Sequence, residues 1–333
     1  MDPIITVSNL SKIFMLHKHH RGFLGSVRNL LSRQAYELRA VDGVTFSISP
    51  GECVGYIGPN GAGKSTTIKM LSGLLVPSSG HLIVNGYIPW RERTKFVARI
   101  GVVFGQRTTL WWDLPVIESL DLLKDIYRIP KDQYQTNLVE FRAMLELDSF
   151  IDTPVRSLSL GQRMRADICA ALLHNPDILF LDEPTIGLDV VAKERIRQFI
   201  LAINQNRKTT IVLTTHDLSD VEKLCERVLI IDKGHLLYDG NLSALQQKFG
   251  GKRKLVVDFA ENYSNFEIND TEIVEIQGNR VVFAFERHNV TASELIQRLS
   301  ERYRIRDLSV QEPEIENTIR RIYEDRLLEG AQN

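Results

Sequence analysis

Between Gly58 and Thr66 the chain reads GPNGAGKST, a spacing of glycines, lysine and hydroxyls suited to holding a polyphosphate. Gly58, Gly61 and Gly63, with Pro59, Asn60 and Ala62 between them, let the backbone wrap closely, so that its N–H groups and the start of the following helix face negative charge. Lys64 is placed to reach the β- and γ-phosphates of a nucleotide. The Ser65 hydroxyl, next to Thr66, offers a ligand to Mg²⁺, an ion that takes only one or two carboxylates from a protein.

Those carboxylates stand in ILFLDEPTIGLD, where Asp182 and Glu183 end a hydrophobic run. By position, Asp182 holds Mg²⁺ through water, and Glu183 orients and deprotonates an attacking water. His216 closes another run, VLTTHD, and is expected to contact the γ-phosphate and Glu183. Gln106 follows RIGVVF, so its amide is expected at Mg²⁺ or the lytic water. Phe14 in LSKIF is a candidate for stacking on a base.

The elements that must position these residues alternate short β-branched runs with amphipathic stretches from Ile4 to about Lys248, the pattern of an α/β domain with helices on both faces of a parallel sheet. CVGYIG, RIGVVF, DILFLD and TTIVLTTH read as its strands. The SSG at Ser78 to Gly80 and DKGHLLYDG at Asp232 to Gly240 read as hairpin material on an antiparallel flank. Apolar residues at helical spacing from Pro115 to Phe150 predict a helical insert, the start of a helical subdomain covering about 115–173. After Phe249 the pattern becomes strand-rich. LVVDF, TEIVEIQ, RVVFAFE and IRDLSV alternate with a helix capped by Thr291 and a closing helix from Pro313, which predicts a second, small α+β domain over 249–333.

Composition sets outer limits. The 333 residues are 43% hydrophobic with a net charge of −1, which suits a soluble globular chain and gives no global attraction to nucleic acid. No run approaches the roughly 20 apolar residues of a membrane span. Cys53, Cys169 and Cys225 are scattered, suggesting neither a disulfide framework nor a zinc site, and read as buried small hydrophobes.

Taken in order, these motifs resemble the ATP-binding subunit of ABC transporters, over roughly residues 4 to 245. LSLGQ, Leu158 to Gln162, matches the family's LSGGQ signature at four of five positions. The resemblance implies a P-loop ATPase that hydrolyses ATP with Mg²⁺. It assigns adenine stacking to Phe14, phosphate binding to Gly58 through Thr66, and a switch role to Gln106. Asp182 and Glu183 become metal ligand and base, with His216 at the γ-phosphate and Asp189 at a dimer seam. Ser159, Gly161 and Gln162 then bind the γ-phosphate held by the opposite chain of a head-to-tail dimer, formed with a second copy or a paralogous subunit. The N–H groups opening the helix after Gly161 fit such an anion site. Leu160 departs from the family's usual glycine, and would be strained if the position required a positive φ.

Finer features resemble the exporter branch, whose ATPases pair with separately encoded integral-membrane permeases on the cytoplasmic face of the membrane. They are GQRTTLWWDLPVIESLDLLKDIYRIP, the spacer before AVDGVTF and the C-terminal domain. An importer subunit and a soluble relative not coupled to transport are the alternatives. Repair members of the family carry a very long coiled coil between the two motifs, whereas only 94 residues, positions 65 to 158, separate Lys64 from Ser159 here. Translation members usually carry two cassettes, and this chain has one.

Three segments remain. Trp111 and Trp112 either fill the core or pack on a permease helix. The basic stretch HKHHRGFLGSVRNLLSRQ, His17 to Gln34, lies in an insertion over about 17–38 and reads as a short amphipathic helix that covers its own domain, a permease or an anionic leaflet. The C-terminal domain shows no metal or catalytic cluster and reads as dimer-stabilising or regulatory.

Overall fold

In the N-terminal unit, β1 (Ile5–His17), β2 (Ala35–Ile48) and β4 (Ser79–Val84) form an antiparallel sheet in the order β2-β1-β4. A second sheet contains β3 (Cys53–Ile57), β5 (Ile100–Phe104), β6 (Ile178–Asp182), β7 (Thr210–Thr214), β8 (Arg227–Asp232) and β9 (His235–Asn241), ordered β5-β6-β7-β3-β8-β9. Every residue of β6 and β7 is buried, which is why these strands are continuous apolar runs instead of alternating ones. The computed structural model describes residues 2–17, 35–105, 107–263, 266, 268–286, 289–313 and 315–324.

Register places the chemistry. In the parallel pairs Phe104 stands opposite Asp182, Asp182 opposite Thr214, and Thr214 opposite Tyr56. The loops that follow β3, β5, β6 and β7 therefore leave the sheet at one level, at its carboxyl edge, where ligands of open α/β sheets bind. A core including Ile5, Phe46, Tyr56, Ile68, Phe180 and Val212 joins the two sheets around α1 (Lys64–Leu71).

The other helices of this unit are α2 (Arg93–Val97), α3 (Val116–Ile126), α4 (Lys131–Leu145), α5 (Leu160–Leu172), α6 (Val190–Arg207) and α7 (Leu218–Leu224). Pro115 and Pro130 immediately precede α3 and α4, where a missing N–H is harmless. Phe141 of α4 meets Phe199 of α6 edge to face at 5.4 Å.

Some expectations change. The SSG segment is the start of β4, whose partner is β1, so it makes no local hairpin. The tight turns are Asn85-Gly86 and Lys233-Gly234, each with two positive φ values, as primed hairpin turns require. Residues 35–38, assigned to the insertion, belong to β2. The basic helix expected over 17–34 lies outside the described residues beyond His17. Cys169 and Cys225 are buried, but Cys53 is half-buried, and its thiol lies 3.6 Å from that of Cys225.

The chain divides into units Met1–Gly240 and Asn241–Asn333. The division falls at Gly240, where the sequence pattern put it after Lys248, because α8 (Leu242–Phe249) packs with α10 (Ile315–Glu324). The C-terminal unit also holds β10 (Arg253–Phe259), β11 (Thr271–Gln277), β12 (Arg280–Phe285), α9 (Ala292–Arg302) and β13 (Ile305–Gln311), its antiparallel sheet ordered β11-β12-β10-β13. Leu255, Phe283 and Phe285 share a core with Leu295 and Leu299 of α9. Thr291 and Glu294 cap that helix reciprocally. No helix among the described residues is long and apolar enough to cross a membrane.

Candidate functional site

Gly63 precedes α1 with φ 109°, and a Cβ there would lie 2.4 Å from the Ala40 carbonyl oxygen. Only glycine turns the chain so tightly into a helix at this place, and the turn leaves the backbone of the loop open to a ligand. Lys64 curls back over the loop, its Nζ donating to the carbonyls of Gly58 at 2.7 Å and Pro59 at 3.2 Å. Burial lowers the pKa of the Lys64 ammonium, with the nearby Glu183 and Asp182 carboxylates opposing the shift.

Asp182 accepts hydrogen bonds at Oδ1 from Ser65 at 3.1 Å and Thr214 at 2.5 Å. Among the described residues no cluster of three His, Cys, Asp or Glu forms a protein-only metal cage. One serine oxygen beside one carboxylate at the phosphate loop is instead a donor set that fits Mg²⁺, which completes its shell with phosphate oxygens and water.

Glu183 has a left-handed backbone, φ 57°, and its N–H donates to Thr214 O at 2.9 Å. Its carbonyl crowds the next loop, since a Cβ on Gly105 would lie 2.1 Å from Glu183 O. The Gly105 N–H in turn donates to Asp182 O at 2.7 Å. The Glu183 side chain reaches His216, whose exposed ring places Nδ1 2.5 Å from Oε2. A carboxylate aimed into the cleft and held by an imidazole can take a proton from a water while the histidine fixes its orientation.

Behind these groups lies a network with no obvious mark in the sequence. Asp220, wholly buried on α7, accepts from Thr185 at 2.5 Å, Thr215 at 3.3 Å and Arg197 Nε at 2.6 Å. Thr185 is two residues past Glu183, Thr215 precedes His216, and Arg197 lies on the helix that Asp189 caps. One carboxylate therefore fixes all three segments. At the start of α7, burial works to raise the Asp217 carboxyl, but Lys193 at 2.6 Å and Ser219 outweigh it and hold its pKa at about 2.

These residues open onto a cleft of about 920 Å³. Phe14, Asn60, Gly61, Gly63, Lys64, Ser65, Thr66, Asp182, Glu183 and His216 all line it, as do Lys69 and Arg107, which sequence reasoning missed. Phe14 sits at one wall with Lys12 Nζ 5.3 Å from its ring centroid. Gly58, Pro59 and Ala62 belong to the same loop without lining the cleft. Gln106 lies outside the described residues.

Ser159, Gly161, Gln162 and Asp189 are not brought to the cleft. Ser159 is exposed and caps α5, its Oγ accepting from Gln162 N at 3.2 Å while Gln162 Oε1 accepts from Ser159 N at 2.9 Å. The helix opens at Leu160, earlier than expected, because this reciprocal cap extends it. Leu160 has no positive φ, so the strain feared for this residue is absent. Its side chain faces Gly187, where a Cβ would come within 2.9 Å. By helix geometry the N–H groups of Leu160 and Gly161 have no intrahelical acceptor. Beside them Asp189 caps α6 at Ala192 N, 2.8 Å, and Val190 and Val191 stand 80% and 66% exposed.

A family model described as ABC transporter matches residues 41–186. The chain is 31% identical over 284 residues to the linearmycin resistance ATP-binding protein of Bacillus subtilis, covering 83% of this chain and 91% of that one. It is 38% identical over 214 residues to the Nod factor export ATP-binding protein I of Paraburkholderia xenovorans, covering 63% and 68%. Among solved structures it resembles a dimeric ATP-binding cassette in a post-hydrolysis state bound to ADP and Pi. The TM-score is 0.59 at 26% identity, over 72% of this chain and 98% of the other.

Proposed function

The chain belongs to the ABC transporter family as an ATP-hydrolysing subunit, and from that premise we propose that it drives export through membrane permeases by closing head to tail on a second copy or a paralogue. The observation that carries this reading is the separation of two half-sites in one chain. Lys64, Asp182, Glu183 and His216 line one cleft, while the capped helix at Ser159 stands exposed away from that lining. A helix opening with free N–H groups and a serine, flanked by two exposed valines, suits contact with another molecule that carries phosphate.

In the closed pair, Phe14 stacks on adenine and the loop from Gly58 to Thr66 cradles the phosphates, with Lys64 reaching the terminal pair. Ser65 and Asp182 would hold Mg²⁺, joined by Gln106, and the ion supplies charge neutralisation on the phosphate oxygens. Glu183 takes a proton from the attacking water as its oxygen bonds to the γ-phosphorus. The bond from phosphorus to the bridging oxygen breaks, giving ADP and phosphate. His216 holds the Glu183 carboxylate and faces the γ-phosphate. Ser159, Gly161 and Gln162 of the opposite chain close the site, with Asp189 at the seam. The two relatives concerned with resistance and export support the export reading, under which the subunit works at the cytoplasmic face of the membrane, on permeases.

Because each composite site needs Lys64 from one chain and Ser159 from the other, mixing a Lys64→Ala chain with a Ser159→Arg chain leaves one site free of both lesions. The mixture is expected to hydrolyse ATP where neither variant does alone, measured by phosphate release. No recovery means either that the site is not shared or that both sites must act together; failure of Ser159 to crosslink to the phosphate loop of the opposite chain would then reject the composite site.

A further inference from the structure

We propose that a cavity in the C-terminal unit binds a soluble sugar or polyol phosphate, its phosphate on Arg253, Arg321 and Lys248 and its hydroxyls on Glu286 and Glu312. The site is separate from the nucleotide cleft, and the inference does not depend on the transport reading above.

One end of the C-terminal sheet creates it. Arg253 opens β10 opposite Phe285, the last residue of β12, and Lys254 stands opposite Gln311, the last of β13. Glu286 and Glu312, which follow those two strands, therefore come to the same end as Arg253. The final turn of α8 brings Gln246, Gln247 and Lys248, and the last turn of α10 brings Arg321. Together they line a cavity of about 490 Å³, within the size range of small-molecule sites.

The fold holds both guanidinium groups in place. The Arg253 guanidinium lies 5.6 Å from the Phe285 ring centroid and pairs with Glu312, and its side chain is only 19% exposed. Its Nε is buried without a hydrogen-bond partner among the described residues, so Glu312 does not complete its hydrogen bonding. Arg321 Nη1 donates to Phe249 O at 3.4 Å and passes close over Gly251, whose φ is 79°; a Cβ there would lie 2.7 Å from that nitrogen. The turn from α8 to β10 thus leaves room for a guanidinium where another residue would put its side chain.

Three cations meet two carboxylates around the cavity, so the cluster is not neutral by itself and attracts an anion. Two planar forks match the oxygens of a phosphate, and Lys248 adds a point charge. The carboxylates set the rest of the ligand. They repel a bare anion, but they accept hydrogen bonds from hydroxyl groups, as the amides of Gln246 and Gln247 also can. A phosphate joined to a polyhydroxyl body uses both kinds of partner, whereas inorganic phosphate or a neutral sugar uses one.

Calorimetry on the full chain, with the nucleotide cleft filled by a non-hydrolysable ATP analogue and Mg²⁺, compares glucose 6-phosphate, glucose and inorganic phosphate. Glucose 6-phosphate is expected to bind at least about tenfold more tightly than either fragment. Arg321→Gln, an exposed position, weakens it by roughly 10- to 100-fold, which locates the site whether or not the analogue fills the cleft. Glu286→Gln lowers the preference for glucose 6-phosphate over inorganic phosphate by about fivefold, because it removes a hydroxyl acceptor together with a charge that repels phosphate. A merely structural ion pair would not change that ratio. No binding of glucose 6-phosphate, equal affinity for inorganic phosphate, or unchanged affinity in folded Arg321→Gln overturns the proposal. Should Arg321→Gln fail to fold, Lys248→Gln replaces it with a loss of about threefold, and an unchanged affinity there overturns the proposal equally. Phosphatidylglycerol vesicles, which present phosphate and hydroxyls at a surface, are floated in parallel. Vesicle binding that Arg321→Gln abolishes, with none of glucose 6-phosphate, overturns a soluble ligand.

Discussion

Oε2 of Glu183 lies 2.5 Å from Nδ1 of His216, although the two residues close different strands. The contact makes the proposed base and the histidine one unit. Glu183→Gln removes the proton acceptor while keeping size and hydrogen bonding, and hydrolysis is expected to slow by about 10²- to 10⁴-fold with ATP still bound and the ATP-filled dimer accumulating. His216→Ala added to Glu183→Gln should slow it little further, since members of one catalytic unit are strongly non-additive. Phosphate release and gel filtration with ATP check both points, and near-normal turnover by Glu183→Gln would remove the residue from its role.

Asp220 and Arg197 form a buried ion pair, with side chains 0% and 7% exposed, beneath the same loops. Asp220→Ala leaves the Arg197 charge buried without this partner and is expected to destabilise the fold by about 3–5 kcal/mol. Asp220→Asn keeps an acceptor for Thr185 and Thr215 and should cost less. Urea unfolding ranks the two; equal stability of Asp220→Ala and wild type would show that the network does not hold these segments.

The gathering of the strand-end residues at one edge of the sheet was legible in the sequence because strand-end motifs carry their own geometry. A run such as ILFLD must be a buried strand, and a parallel sheet delivers Asp182 to the level of the phosphate loop whatever the rest of the chain does. Asp220 and Thr214 were not legible. Their partners lie 35 and 32 positions away, and a single Asp on a helix has the same local pattern whether it faces solvent or anchors a loop. Leu160 marks the intermediate case. The motif departure was visible, but whether it mattered depended on φ, which the reciprocal cap of Ser159 and Gln162 fixes.

His174 gives a pH dependence with a definite sign. Its ring stacks on Tyr127 at 4.2 Å, Nε2–H donates to Ile100 O at 2.9 Å, and Nδ1 is buried without a hydrogen-bond partner among the described residues. Burial lowers its pKa, against the Ile100 hydrogen bond and the Asp177 charge. The unfolded chain therefore binds this proton first, near pH 6.5, so the group's contribution is complete above that pH and lost as pH falls toward the depressed folded value. The thermal midpoint should decline on acidification from about pH 7.5 to 5.5, and decline less in His174→Gln, which retains a donor for Ile100. Identical slopes for the two proteins would assign the decline to other groups.

Trp111 and Trp112 are 39% and 50% exposed, which removes the core-filling alternative for both rings. The Trp111 backbone N–H donates to Ser119 Oγ at 3.3 Å, and the Trp112 ring lies 5.6 Å from the Arg163 guanidinium. An exposed cation–π contact of this kind contributes about 0.5–1 kcal/mol, far less than the roughly 4–6 kcal/mol available from burying 150–250 Å² of one indole against a partner, before association costs. On the proposed coupling to a permease, the larger gain is available outward, and we predict that the rings dock on a permease helix. Replacing both tryptophans by alanine is expected to leave folding and ATP binding intact and basal hydrolysis within about threefold, while transport by the reconstituted complex is lost. The paired measurement is ATP hydrolysis by the purified subunit against substrate movement in vesicles carrying the permease. Full transport by the double variant would show that the rings make no coupling contact, and loss of ATP binding would return them to a structural role.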